Sequence, residues 1–510
     1  MNRRDFLVVG ASSAALAAAA GRSSDSALAA EDVLGVPTLA CDPRQTKLNV
    51  KPVMTNIVHS DAWEGPCRWQ SIPPDQEKRA AEASFAAWCK QLREGFLGRS
   101  RLVNLLEPVQ ITFAECFTVT PDQLAKLAPD RQATDAALVY PAGSSISGYE
   151  VARYLGKPIV MIGLNCRNVD IATYTRAKGL EAFVARDQAD FQQLVGLLQA
   201  RKVLRSTKVL FPTDRGLPAS CSVGSIWDLE DLHRRLGVEV KTISYQELAG
   251  EMKTVLESEP LAAAAQRAAE QLVQKADKSF LDIKYVVRSV QFYQAVKNLM
   301  VRHGCNAFTI ECFEFCSSRW PEKWTITPCL LHALFGNQRC ASSCEADLGT
   351  LLALRMLMSV SGKSCHQGNC DPRAEDTFRI NHSAPSMKMN GFDQPDLPYQ
   401  LGRFVSGGWG TKVVVNFMEN AEKTVTVARV NPLATKLLVL RGRLVGASGW
   451  GQDLLSCSVE AVIRPPEGRC DDFMRKRLEY GNHQSWVYGD YVEPLRRLGE
   501  MLGLTVEVIA

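Results

Sequence analysis

The sequence predicts an α/β protein with two Rossmann-like, parallel-sheet α/β domains followed by a β-rich, barrel-like C-terminal domain. Three observations carry this reading. From about residue 48 to 360, apolar β-type runs alternate with amphipathic helical stretches, the pattern of parallel strands covered by helices. After about residue 365 the runs become short and β-branched, separated by Gly, Asn and Pro, as in an antiparallel sheet or barrel. A chain of 510 residues also exceeds what one core can organise.

The elements follow in order. The first thirty residues carry a basic start, an apolar run from Phe6 to Ala20 and small residues near Ala27 and Ala29. They read as an export signal peptide (1–30), and Arg3–Arg4 before Asp5, Phe6 and Leu7 gives it a twin-arginine character. The expected location is therefore the periplasm. In the N-terminal α/β domain (45–200), "DAALVYPAG" and "KPIVMIGLN" are strands and "SGYEVARYLG" the helix between them. In the second α/β domain (201–362), "STKVLFPTD" and "VEVKTIS" are strands flanking the helical "SIWDLEDLHRRLG", and "SYQELAGEMKTVLES" is a Ser-capped helix. Residues 259–303 read as almost entirely helical, with no proline after Pro260. They lead to "CNAFTIECF", a β-prone run ending where open α/β sheets place their ligands. In the C-terminal domain (363–510), "TKVVVNFM", "KTVTVARVN", "TKLLVLRGRLVGAS" and "LLSCSVEAVIRP" are strands, and "DYVEPLRRLGEMLGLTVEVIA" closes the chain as helix and strand.

Composition narrows the function classes. A net charge of +4 with no long basic run gives no footprint for nucleic acid, and nothing beyond the first thirty residues approaches a membrane span. Sixteen cysteines in an exported chain suggest disulfides, but many sit in apolar or helical surroundings, and pairing is not legible from sequence.

The chemistry concentrates in "ECFEFC" and "RCASSCEADLG". Cys312-x3-Cys316 and Cys340-x3-Cys344 have a spacing zinc tolerates, yet Phe313, Phe315 and an expected strand occupy the first pair, so packing cysteines or disulfide partners are favoured. Glu311, Glu314, Glu345 and Asp347 lie in or beside apolar runs, where a carboxylate is costly unless it is paired or bound to a metal. A hard divalent cation prefers such oxygens and accepts an imidazole. Of the seven histidines, His382 in "RINHSAPSMKMNG" and His483 in "LEYGNHQSWVYGDY" stand out, each in a polar loop or turn.

Taken together, "ECFEFC", "CEADLG", "NHSAPSMKM" and "GNHQSWVYGDY" in this order resemble the L-fucose isomerase-like superfamily, which includes the L-arabinose isomerases. The resemblance covers roughly residues 200–510 by motif and the N-terminal part by architecture. It implies two α/β domains followed by a β-rich one. It also implies a Mn2+ site (Mg2+ or another divalent cation as substitutes) formed by Glu314, Asp347 and His483, with Glu311 the competing choice for the first ligand. Glu345 would support Asp347, and His382, Glu311, Glu345 and Gln484 would border the substrate. The implied activity is aldose–ketose isomerisation of a monosaccharide through an enediolate, with Glu314 and Asp347 moving the proton, in a trimer or hexamer. One departure is that Gln484 stands where relatives often carry a second histidine. The alternative is an exported, non-catalytic sugar-binding relative.

Overall fold

The run "LNVKPVMTNI", in which Lys51, Thr55 and Asn56 are buried beside Leu48, Val50, Val53 and Met54, forms β1 (Leu48–Ile57), buried along almost its whole length, as a strand covered on both sheet faces must be. In the computed structural model, which describes residues 33–35, 38–66, 68–114 and 119–510, β1 is central to a parallel sheet. It pairs on one side with β2 (Val103–Leu105) and β3 (Val109–Phe113) and on the other with β4 (Ala136–Pro141). Beyond β4 lie β5 (Ile159–Ile162) and β6 (Ala182–Ala185). The expected signal segment lies outside the described residues.

The helix Gln188–Arg205 leaves this sheet after a cap in which Asp187 accepts from the Asp190 N–H. One of its faces packs Phe191, Leu194, Val195 and Leu198 into the first core, and another puts Leu197, Ala200 and Leu204 into a second. A single helix thus joins the first two sheets through apolar contact on two sides.

The second sheet is parallel, in the order β11 (Ala341–Cys344), β10 (Ala307–Ile310), β7 (Lys208–Pro212), β8 (Glu239–Ile243). The chain leaves β7 toward β8 on one side and later returns to β10 on the other. The strand order therefore reverses between β7 and β10, where the crevice beyond the carboxyl ends is the natural ligand position. Residues 259–303 are almost entirely helical, as expected, with one break. They form helices Glu259–Lys275 and Ile283–His303, with β9 (Lys278–Ser279) between them. The interruption has a tertiary cause: β9 pairs with β14 (Tyr399–Arg403), which also pairs with β15 (Thr411–Val415), and Asp282 caps the second helix.

The C-terminal part contains a closed antiparallel ring. Its strands run β12 (His366–Arg373), β13 (Thr377–His382), β18 (Val459–Arg464), β17 (Lys436–Ser448), β16 (Thr424–Val430) and β19 (His483–Tyr488), which returns to β12. The last strand, β20 (Thr505–Ile509), adds to β17 in parallel. The apolar helix Leu348–Ser361 follows β11 and packs Leu351, Leu352 and Met356 in one core with Ala428, Val439 and Val487 of the ring. No described helix is long and apolar enough to cross a membrane.

Two buried histidines set an acid limit on this fold. Burial pushes His332 and His366 down to about 3. In the unfolded chain each titrates near ~6.5, so below that pH the unfolded state binds more protons and stability falls as pH drops toward 3. His366 packs against Phe417 and Trp486, with ring centroids 5.5 and 6.4 Å away. His366→Phe should therefore shrink the acid-side loss between pH 6 and 4 by up to about 1.4 kcal/mol per pH unit, read from urea unfolding at several pH values. A slope identical to wild type would show that His366 does not set it.

Candidate metal centre

The site is built from the carboxyl ends of β10 and β11 and from two strands of the C-terminal ring. After β10, Glu311 caps the helix Cys312–Ser317, accepting from Phe313 N–H at 3.2 Å and Glu314 N–H at 2.7 Å. The first cysteine pair thus sits on a short helix rather than a strand, because the Glu311 side chain satisfies amides that a strand would have left to a neighbour. Burial first, and then the charges of Glu345 and Glu314, raise the Glu311 carboxyl above its ordinary value against its two backbone hydrogen bonds.

After β11, Glu345 and Ala346 both adopt left-handed backbone conformations, with φ of 59° and 51°. Each costs of order 1–3 kcal/mol in a non-glycine residue, and such strain persists only where the surroundings impose it. Asp347 then caps the helix Leu348–Ser361, its Oδ1 accepting from Thr350 N–H at 3.1 Å.

His382 is the last residue of β13 and His483 the first of β19, so both are held by strands rather than by the loops expected. Glu345 lies between them. Its Oε1 is 3.4 Å from His382 Nε2 and its Oε2 is 3.5 Å from His483 Nε2. The ring centroids are 5.4 Å apart. Neither Nε2 makes a hydrogen bond, although both rings are only 1% exposed. His483 Nδ1 faces Asp347 Oδ2 at 3.0 Å, and Asp347 Oδ2 also receives Arg429 Nη1 at 2.5 Å. A proton on Nδ1 shared with Asp347 leaves the Nε2 lone pair free, the carboxylate–histidine arrangement found behind metal-binding imidazoles.

Glu345, His382 and His483 each offer one ligand atom, and these atoms lie within 4.8 Å of one another. This buried group can hold a metal ion. Burial works against the Glu345 charge, but His382 contact and the His483 and His382 charges hold its carboxyl down to about 2. Burial likewise opposes the Asp347 charge, and Arg429 and His483 keep that carboxyl well below the usual range. His382 is raised despite its burial, by Cys457 at 4.0 Å from Nδ1 and by Glu345.

The expected ligands are thus distributed over three tasks. His483 is in the cluster and Asp347 stands directly behind it. Glu314 points elsewhere: it accepts from Thr213 Oγ1 at 2.8 Å and from the Asp214 and Arg215 N–H groups at 2.9 and 2.8 Å. It thereby anchors the loop after β7. That loop crosses the cluster, where Ser222 Oγ donates to Glu345 Oε2 at 3.1 Å. Glu345 and His382, expected at the substrate, lie in the metal-capable group. Gln484 follows His483 on β19, and strand alternation turns it to the other face, its Nε2 donating to the Gly481 carbonyl at 3.1 Å.

Among the described cysteines none is in a disulfide. The two expected pairs do not assemble as one zinc site: Cys316 is exposed, and the Cys340 thiol donates to the Asn306 carbonyl at 3.7 Å. Sequence reasoning also missed Arg429 and Ser222. Arg429 had a signal, a lone charge inside the alternating apolar "KTVTVARVN". Ser222, in an irregular loop, had none. A cavity of about 840 Å³ lined by Trp88, Tyr140, Asn165 and Arg167 lies in the first domain and touches none of these residues.

Comparison with family models and with curated proteins finds no match.

Arg429 is 0% and Asp347 1% exposed, so removing one strands the other's charge. Arg429→Met should destabilise the protein by about 3–5 kcal/mol in urea unfolding, and adding Asp347→Asn should recover a substantial part. A single-variant cost below about 1 kcal/mol would mean the pair is not carrying the load assigned to it.

Proposed function

We propose that the chain is a metal-dependent aldose–ketose isomerase of the L-fucose and L-arabinose isomerase type, acting on a monosaccharide through an enediolate. The carrying observation is the buried Glu345–His382–His483 group beyond the sheet's carboxyl ends, with Asp347 behind His483. The motif resemblance supplies the reaction class, and Mn2+ is the proposed cation. A carboxylate with two imidazoles suits it and leaves further coordination positions for sugar oxygens. Bound there, a divalent cation would polarise a carbonyl and stabilise negative charge on the enediolate oxygens.

The residues of the chain take the other roles. Asp347 fixes the proton of His483 on Nδ1, and Arg429 keeps Asp347 ionised and oriented. Glu311, its carboxyl raised by burial, is suited to taking a proton from one sugar carbon and returning it to the next. Glu314, first expected to move that proton with Asp347, is tied to the loop after β7, and Asp347 to Arg429 and His483. A sugar reaches the cluster by displacing the loop that carries Ser222, which Glu314 anchors at its base. The twin-arginine motif at Arg3–Arg4 supports export of the folded protein to the periplasm. Assembly as a trimer or hexamer belongs to the same reading.

The test is a panel of aldoses incubated with the Mn2+-loaded protein, with ketose followed by NMR. Glu345→Gln should lose stoichiometric Mn2+ by elemental analysis and lose turnover with it. Glu311→Gln should retain Mn2+ while turnover falls about 10²–10⁴-fold, the scale of a lost general acid–base. Sugar-dependent thermal stabilisation with no ketose from any aldose would replace this reading by the sugar-binding one.

A further inference from the structure

Beside the imidazole group lies a second set of donors with different chemistry. Cys312 Sγ, Cys344 Sγ and a Glu345 carboxylate oxygen all lie within 4.8 Å of one another. Cys312 is half-buried on the first turn of its helix, while Cys344 is buried at the last position of β11. The carriers are fixed independently: Glu311 caps the helix, and Cys344 N–H donates to Gln367 Oε1 at 3.1 Å. The left-handed turn at Glu345 and Ala346 folds the carboxylate back beside the strand end it has just left.

We propose that Cys312, Cys344 and Glu345 form a second cation site, for a thiophilic divalent ion of the zinc class. Tetrahedral zinc with Zn–S of ~2.3 Å and Zn–O of ~2.1 Å sets two sulfurs and an oxygen about 3.6–3.8 Å apart. The 4.8 Å limit on the observed spacing exceeds this by about 1 Å. Two sulfurs select against Mn2+ and Mg2+ and for zinc-like ions, whereas the imidazole group suits harder ones. Three protein ligands leave a fourth position open, the arrangement of zinc sites that keep an exchangeable ligand. Cys312 is half-buried, and Cys221 on the covering loop is exposed. Packing alone would account for one buried cysteine. It accounts less well for two thiols from different strand ends converging on a desolvated carboxylate, since a neutral thiol is a weak partner for that charge.

The site stands without the isomerase reading, because neither thiol enters that chemistry. Its test is a Cd2+ titration of the metal-free, full-length protein in a phosphine reductant, followed by the ultraviolet thiolate-to-cadmium charge-transfer band. Wild type should show one saturable equivalent, displaced one-for-one by Zn2+. Cys312→Ser should weaken that equivalent by at least about tenfold, while Cys316→Ser, one turn further along the same helix, leaves it in place. Near-ultraviolet circular dichroism checks that Cys312→Ser keeps its packing, and this half-buried position makes it the deciding variant rather than buried Cys344→Ser. An unaltered first equivalent in Cys312→Ser would overturn the site. So would Cd2+ binding without the thiolate band, which would put the ion on the imidazoles.

Discussion

The buried pair formed by Asp347 and Arg429 holds the second sheet and the C-terminal ring in a fixed relation. Asp347 belongs to the turn between β11 and the helix that follows it, and Arg429 projects from β16. Two ions taken out of water cost several kcal/mol each, and their attraction offsets this only when the remaining donors and acceptors are also satisfied. Here they are. Arg429 also donates to the Tyr480 and Gly224 carbonyls at 2.9 Å each and hydrogen-bonds Thr350 Oγ1. Asp347 takes the Thr350 amide and His483. One guanidinium thereby connects a sheet end, the loop that covers it, the helix start and the turn before β19.

With that frame fixed, Glu345 has little freedom. It leaves β11 in a conformation that a non-glycine residue avoids and emerges between two imidazoles whose strands belong to the ring. Removing the ring would take away both histidines, and removing the second sheet would take away the carboxylate. The group exists only because the two units are docked, through a shared apolar core and the Asp347–Arg429 pair. Strain at Glu345 and Ala346 is therefore held by tertiary contact, including Ser225 Oγ donating to the Ala346 carbonyl at 2.8 Å.

The fold was legible where periodicity reports burial: β10 is a short apolar run broken by one threonine, β16 alternates valine with threonine, and the capped helix at Ser244 begins where its side chain accepts the Glu247 amide. The site was legible only as a neighbourhood. "ECFEFC" and "CEADLG" did mark two strand ends, but each contains two carboxylates separated by one or two residues. Which one faces the crevice depends on φ at Glu345 and on the helix start at Cys312, neither of which leaves a trace in composition. The histidines were picked out as loop residues, although they sit in strands. Polar neighbours masked the β character of "RINH" and "HQSWVY", which the closed ring imposes by pairing on both sides.

The short helix Cys312–Ser317 shows how closely the roles are packed. Within four consecutive residues it presents Glu311 as its cap, Cys312 toward Glu345, the exposed Phe313 and Glu314 toward the loop after β7. Offsets of one and three residues turn side chains through about 100° and 300° around a helix, so these groups diverge to different neighbours from one rigid element. A shift of this helix would move all of them together: the Glu311 carboxyl, a thiol beside Glu345, and the three hydrogen bonds that anchor the loop bearing Ser222. Because Ser222 in turn hydrogen-bonds Glu345, movement of the covering loop and the position of the central carboxylate are mechanically linked through six residues at the end of β10.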